Sequence, residues 1–132
     1  MIEVCCAIIV TESRILAVQR GPESKHPWKW EFPGGKVHLR ESPEQCIVRE
    51  IEEELMIGIE ILEPLLSVEF DYGNGIIRLM PFVCKVISGE MILTEHVGYQ
   101  WFLLDQWNDL DWQEADRDLI LKNLELLRRI LS

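Results

Sequence analysis

Residues 42–57 read SPEQCIVREIEEELMI, and the fold turns on how these sixteen letters are arranged in space. Ser42 is a natural helix N-cap. Pro43 then falls at the first helical position, where its missing N–H costs nothing. Gln45 completes an S-x-x-Q capping box. The stretch therefore predicts a helix from about Ser42 to Met56. On a helix turning about 100° per residue, Glu53 and Glu54 lie about 60° and 40° to either side of Glu50, so the three carboxylates share a face. Glu52 points away. Ile47, Val48, Ile51 and Leu55 form an apolar stripe next to the carboxylates. Like charges at these spacings repel, and Arg49 neutralises one of them, Glu53 at i+4 being the expected partner. Charge runs are often solvated helix faces. Three carboxylates bordering a buried stripe instead suit a hard divalent cation such as Mg²⁺ or Mn²⁺.

Outward from this helix, the chain alternates strands and turns. Ile2–Val10 is rich in β-branched residues and reads as a strand, with Arg14–Arg20 as its hairpin partner. Trp28–Phe32 reads as a short strand that stops at Pro33-Gly34-Gly35. Paired glycines there let backbone approach an anion or expose a carbonyl to a metal. Gly58–Tyr72 and Ile76–Ile87 flank Gly73-Asn74-Gly75, a hairpin signal. Tyr99–Leu104 is a further strand, and Ala115–Leu131 is an amphipathic helix. Strands surrounding one central and one terminal helix predict a mixed α/β domain, with helices on both faces of a mixed sheet.

The 132 residues are about one domain, read here as a single unit over 1–132. The formal net charge of −10 argues against binding polymeric nucleic acid or an anionic membrane surface. A small polyanion remains open as a ligand if a cation lies between it and the protein. The four cysteines, Cys5, Cys6, Cys46 and Cys84, form no CxxC pair, so we expect free, mostly buried thiols and a cytoplasmic protein.

From Gly35 to Ile57 the sequence GKVHLRESPEQCIVREIEEELMI resembles the Nudix box. Gly35, Glu41, Arg49, Glu50, Ile51, Glu53, Glu54 and Ile57 match its fixed positions. Met56 stands where the box has its second glycine, which ends the helix in a left-handed conformation. Gly58 is an alternative cap for a slightly longer helix. The flanking EFPGGK and EHVGYQW segments resemble the MutT-like branch, which includes 8-oxo-dGTP and CTP pyrophosphohydrolases.

The resemblance implies an α/β/α sandwich that cleaves a nucleoside triphosphate to monophosphate and pyrophosphate. It implies that Glu50, Glu53 and Glu54 hold Mg²⁺ or Mn²⁺, helped by the Gly34 carbonyl. Arg49 would orient the glutamates, and Glu41 would be a supporting carboxylate. Glu53 and Glu95 are candidates for the catalytic base, because Gln100 replaces a carboxylate of the MutT protein. Arg20 resembles a phosphate-contacting arginine, with Lys25 as a further contact and Gly35 as a point of close approach. Phe32, Trp28 and Trp30 are candidate walls of a base pocket. Asp116 falls where the branch reads the base. As an ionised carboxylate it would suit the N1–H and 2-amino donors of guanine, although an Asp at a helix start is commonly a cap.

Two function classes follow: a pyrophosphohydrolase acting on oxidised nucleotides or cytidine triphosphates, and a non-catalytic nucleotide-sensing module. The intact glutamate set favours the enzyme. The expected assembly is a monomer or homodimer.

Overall fold

The computed structural model describes residues 1–132. Its strands are β1 (Ile2–Thr11), β2 (Arg14–Gln19), β3 (Trp30–Glu31), β4 (Gly34–Lys36), β5 (Gly58–Pro64), β6 (Val68–Asp71), β7 (Ile76–Ser88) and β8 (Gly98–Leu103). Its helices are α1 (Pro43–Leu55) and α2 (Glu114–Leu131), and a 3₁₀ turn spans Leu104–Asp109. β1 runs parallel to β7, and all other pairings are antiparallel, so the sheet is mixed.

The alternation of side chains along β1 and β2 builds the two-sided core. Cys5, Ala7 and Ile9 of β1, with Leu16 and Val18 of β2, pack with Ile47, Ile51 and Leu55 of α1. Cys6 and Ile8, with Ile15 and Ala17, point the other way, towards Leu119, Ile120 and Leu127 of α2. These central strands are buried on both faces, which is why they read as near-continuous apolar runs. The expected α/β/α sandwich is present.

Several boundaries differ from expectation. The glycine pair is not a plain turn: Gly34 and Gly35 sit within β4, which pairs with Cys6 and Cys5 of β1. A Cβ at Gly34 would collide with the Cys5 carbonyl, so only glycine permits this pairing. Gly58–Tyr72 is broken after Pro64 into two strands, both paired to β7. The capping box of Ser42 and Gln45 forms as expected. The helix then ends at Leu55, with Met56 itself left-handed at φ 60° and ψ 29°. Gly58 begins β5 and is not the cap. Met56 carries a strain on the order of 1 kcal/mol that a glycine would not. The 3₁₀ turn has no counterpart in the sequence reading.

The cysteines also correct the expectation of free thiols. Cys5 and Cys46 are bonded as a disulfide, with Cα atoms 6.6 Å apart, and only Cys6 and Cys84 are free. The partners are 41 positions apart and meet only because α1 lies directly on β1. No local spacing signals such a pair. No helix is long and apolar enough to cross a membrane.

Candidate active site

Arg49 organises one side of the site. Its Nε and Nη2 donate to the two oxygens of Glu41 at 2.6 and 2.9 Å, a bidentate pair. Nη1 donates to Glu50 at 2.8 Å and to Glu53 at 3.1 Å. The principal partner is thus Glu41, and the expected i+4 partner Glu53 receives the longest of these carboxylate bonds. The guanidinium holds the Glu41 carboxyl down at about 2. The Glu50 carboxylate lies against Gly35, where an added Cβ would come within 2.5 Å of it. This close approach is the structural use of Gly35.

Glu54 is in a different situation. It is 6% exposed, and Gly34 N–H donates to its Oε2 at 3.2 Å. Burial first, then the neighbouring Glu95, Glu50 and Glu31 carboxylates, push its carboxyl up to about 10. Such a group holds a proton at neutral pH unless a cation offsets its neighbours. The oxygen-rich, acid-crowded donor set fits a hard divalent ion.

The segment before β8 closes over this point. Thr94 N–H donates to Glu54 O at 3.0 Å, and its hydroxyl donates to Glu53 O at 2.7 Å. Ile92 N–H donates to Leu55 O. The end of α1 thereby fastens the loop and brings Glu95 and His96 to Glu54. Ligand atoms of these three residues all lie within 4.8 Å of one another.

A cleft of about 330 Å³ runs past this cluster. It is lined by Arg20, Phe32, Gly34, Gly35, Glu54, Glu95 and Asp116 from the sequence reading. Arg20 is already engaged, donating to Glu31 at 3.0 Å and to the Lys25 carbonyl at 2.7 Å. Lys25 is exposed and does not line the cleft, and neither does Glu53, whose side chain is 60% exposed. Trp28 is exposed, Trp30 packs on the α2 side, and Gln100 lies on β8 opposite Ala17; none of the three lines the cleft. Phe32 is buried against Trp112, with ring centroids 4.9 Å apart.

Asp116 is 6% exposed and accepts from Phe32 N–H at 2.9 Å. It therefore ties α2 to the strand–glycine segment and is more than a local helix cap. Burial, and then Glu31, raise its carboxyl well above the usual range. The sequence reading missed Glu31, His96, Tyr72 and Gln113, which also line the cleft. Of these, Glu31 and His96 carried a readable signal: titratable residues beside Phe32 and Glu95.

The NUDIX domain model matches residues 1–122. The chain belongs to the NUDIX family. It is 38% identical over 101 residues to the CTP pyrophosphohydrolase of Escherichia coli, covering 76% of this chain and 75% of that protein. It is 29% identical over 122 residues to the 8-oxo-dGTP diphosphatase of the same organism, covering 92% and 95%. The crystal structure of a MutT NUDIX hydrolase from Burkholderia pseudomallei superposes with a TM-score of 0.78 at 32% identity, covering 92% of this chain and 96% of that one. The chain is a Nudix hydrolase with the MutT-type mixed sheet.

Proposed function

We propose that this Nudix hydrolase, working as one domain over residues 1–132, is a divalent-cation-dependent nucleoside triphosphate pyrophosphohydrolase. It releases a nucleoside monophosphate and pyrophosphate, and oxidised nucleotides such as 8-oxo-dGTP are its first candidate substrates. The observation that carries this reading is Glu54, a buried carboxyl crowded by carboxylates in a cleft that also presents Phe32 and Asp116.

Mg²⁺ or Mn²⁺, when bound, would supply positive charge for the phosphate oxygens and make water a better nucleophile. Glu50, Glu53, Glu54 and the Gly34 carbonyl would hold that ion. Arg49 keeps Glu50 and Glu53 aimed, and Glu41 fixes Arg49 by its bidentate pair. Glu95, which lines the cleft beside Glu54, accepts the proton of the attacking water in preference to the outward Glu53. Arg20 contacts phosphate, Gly35 lets the chain approach it closely, and Phe32 gives the base an apolar wall. An acidic protein can thus take a polyanion, because the cation lies between them.

Asp116 supports a second reading. Burial and Glu31 favour the protonated form of its carboxyl, and that form offers one donor and one acceptor. Guanine answers that pair with O6 and N1–H, and cytosine answers it with N3 and its 4-amino group. The preference for guanine expected of an ionised carboxylate therefore lapses, and CTP or 5-hydroxy-CTP stands as the alternative. The similarity to a CTP pyrophosphohydrolase points the same way. The test is hydrolysis of 8-oxo-dGTP, dGTP, CTP and 5-hydroxy-CTP with Mg²⁺ in isotopically labelled water. Monophosphate and pyrophosphate are the expected products. Orthophosphate as the only first product would exclude this chemistry, and binding without turnover would favour a sensing module.

A further inference from the structure

We infer that His96 is a nitrogen ligand of the divalent cation, held to that task by a relay running from Arg20 through Glu31. The inference rests on the metal reading above and adds a donor of a different chemical kind to its oxygen set.

His96 belongs to the segment that Thr94 fastens onto the end of α1. Its Nε2 lies 2.8 Å from Glu31 Oε2, and Glu31 Oε1 accepts from Arg20 Nη1 at 3.0 Å. A carboxylate only accepts hydrogen bonds, so in the neutral ring Nε2 carries the hydrogen and Nδ1 keeps a lone pair. That Nδ1 is buried and has no partner; it is the one buried side-chain nitrogen or oxygen in the chain so placed. The His96 side chain is 6% exposed, so water has little access to it. A buried polar atom without a partner is costly and calls for an explanation.

The surroundings supply one. A ring nitrogen of His96 and carboxylate oxygens of Glu54 and Glu95 lie within 4.8 Å of one another. Donors each about 2.2 Å from a shared ion stand at most about 4.4 Å apart. A closure of a few tenths of an ångström would put donors so spaced around one ion, with the second oxygen of Glu95 still free to accept the proton of the attacking water. A ligating histidine whose other N–H is held by a carboxylate is the usual support for a metal site, because the carboxylate fixes the ring and strengthens the donor. Imidazole is a better ligand for transition metals than for Mg²⁺, which takes oxygen. Between Mg²⁺ and Mn²⁺, the nitrogen donor therefore favours Mn²⁺. The competing use of Nδ1 is to accept a hydrogen bond from a nucleobase N–H, since the same cleft carries Asp116.

The test is pulsed electron paramagnetic resonance of the Mn²⁺-loaded full chain grown with isotope-labelled histidine. It uses the double variant His26→Gln/His38→Gln, in which both exposed histidines are removed and His96 is the only imidazole left. The expected result is a hyperfine coupling to one directly bound imidazole nitrogen. In parallel, His96→Phe should weaken Mn²⁺ binding ~10-fold or more and Mg²⁺ binding by less than ~3-fold, with both affinities measured in the absence of nucleotide. Bound Mn²⁺ without imidazole coupling overturns the inference, leaves the carboxylate site standing, and assigns Nδ1 to the base. Failure of Mn²⁺ to bind overturns both. The spectroscopic arm keeps His96 in place, so it decides the matter even if His96→Phe does not fold.

Discussion

The two helices lie on opposite faces of one sheet, and both bury polar groups, yet they do so in opposite ways. On α2, Asn123 is fully buried, accepts from Leu66 N–H at 2.8 Å, and donates to Leu66 O and Leu119 O at 2.9 and 3.0 Å. Asp116 accepts from Phe32 N–H. Asn123, with its amide oxygen and nitrogen both paired to backbone groups, is a structural joint; Asp116 ties its helix to Phe32 and also faces the cleft. On α1, Glu54 is buried with carboxylates as its main electrostatic neighbours. Hydrogen bonding offsets the cost of burial on one face, and on the other a buried carboxyl is crowded by carboxylates and keeps its proton until a cation replaces it. Buried polarity that is satisfied within the chain marks architecture; buried polarity of a single sign marks a place for a ligand.

The sharpest way to break this comparison is to neutralise each side in turn. Glu54→Gln keeps the shape and removes the charge, and the expected loss in nucleotide hydrolysis is ~10³-fold. Because Glu54 holds its proton at neutral pH without a cation, the metal-free variant should melt within ~2 °C of the native chain. A loss under tenfold, or a large fall in stability, would make Glu54 another structural joint. Asn123→Ala should do the reverse: about 2–4 kcal/mol lost in urea unfolding, because Leu66 loses both partners, with kcat within ~2-fold of native.

The pH dependence separates the faces again. Glu54 has a folded pKa of about 10 against an ordinary 4.5, so its contribution is fully present below 4.5 and is lost as pH rises through 10. Asp116 acts in the same direction. Saturating Mg²⁺ should flatten only the Glu54 part, so the stabilisation by Mg²⁺ should grow from pH 6 to pH 9. Calorimetric melts across that range check this, and a Mg²⁺ effect independent of pH would contradict it. Glu41 works the other way: its contribution is present above 4.5 and lost as pH falls through about 2. The smallest effect is at the helix end. Met56→Gly relieves a left-handed residue that is 53% exposed, and should raise stability by about 0.5–1 kcal/mol. Chemical denaturation resolves a change of that size.

The α1 side of the molecule was largely legible because its information is local. The capping box, the i, i+3, i+4 carboxylates and the apolar stripe are contained in one stretch, and the helix forms where that stretch places it. The two-sided core was legible from the strand runs. The partners of Arg49 were less so, because Glu41 reaches it from the loop before the helix and competes with i+4 geometry. The glycine strand β4 depends on the Cys5 backbone, and the Cys5–Cys46 bond depends on α1 packing over β1. The meeting of Glu54, Glu95 and His96 needs a contact across 40 positions, made by Thr94. None of these contacts has a signature in sequence spacing.

The central claim is that Glu54 sits where a divalent cation belongs. It is tested most directly by the change in melting temperature on adding Mg²⁺ to the native chain and to Glu54→Gln, without nucleotide, at pH 8. A cation at about 100 times its Kd stabilises by about 2.7 kcal/mol, so the native chain should melt roughly 8–12 °C higher, while the variant should shift by less than ~1 °C. An equal shift in both proteins would place the cation elsewhere and contradict the account.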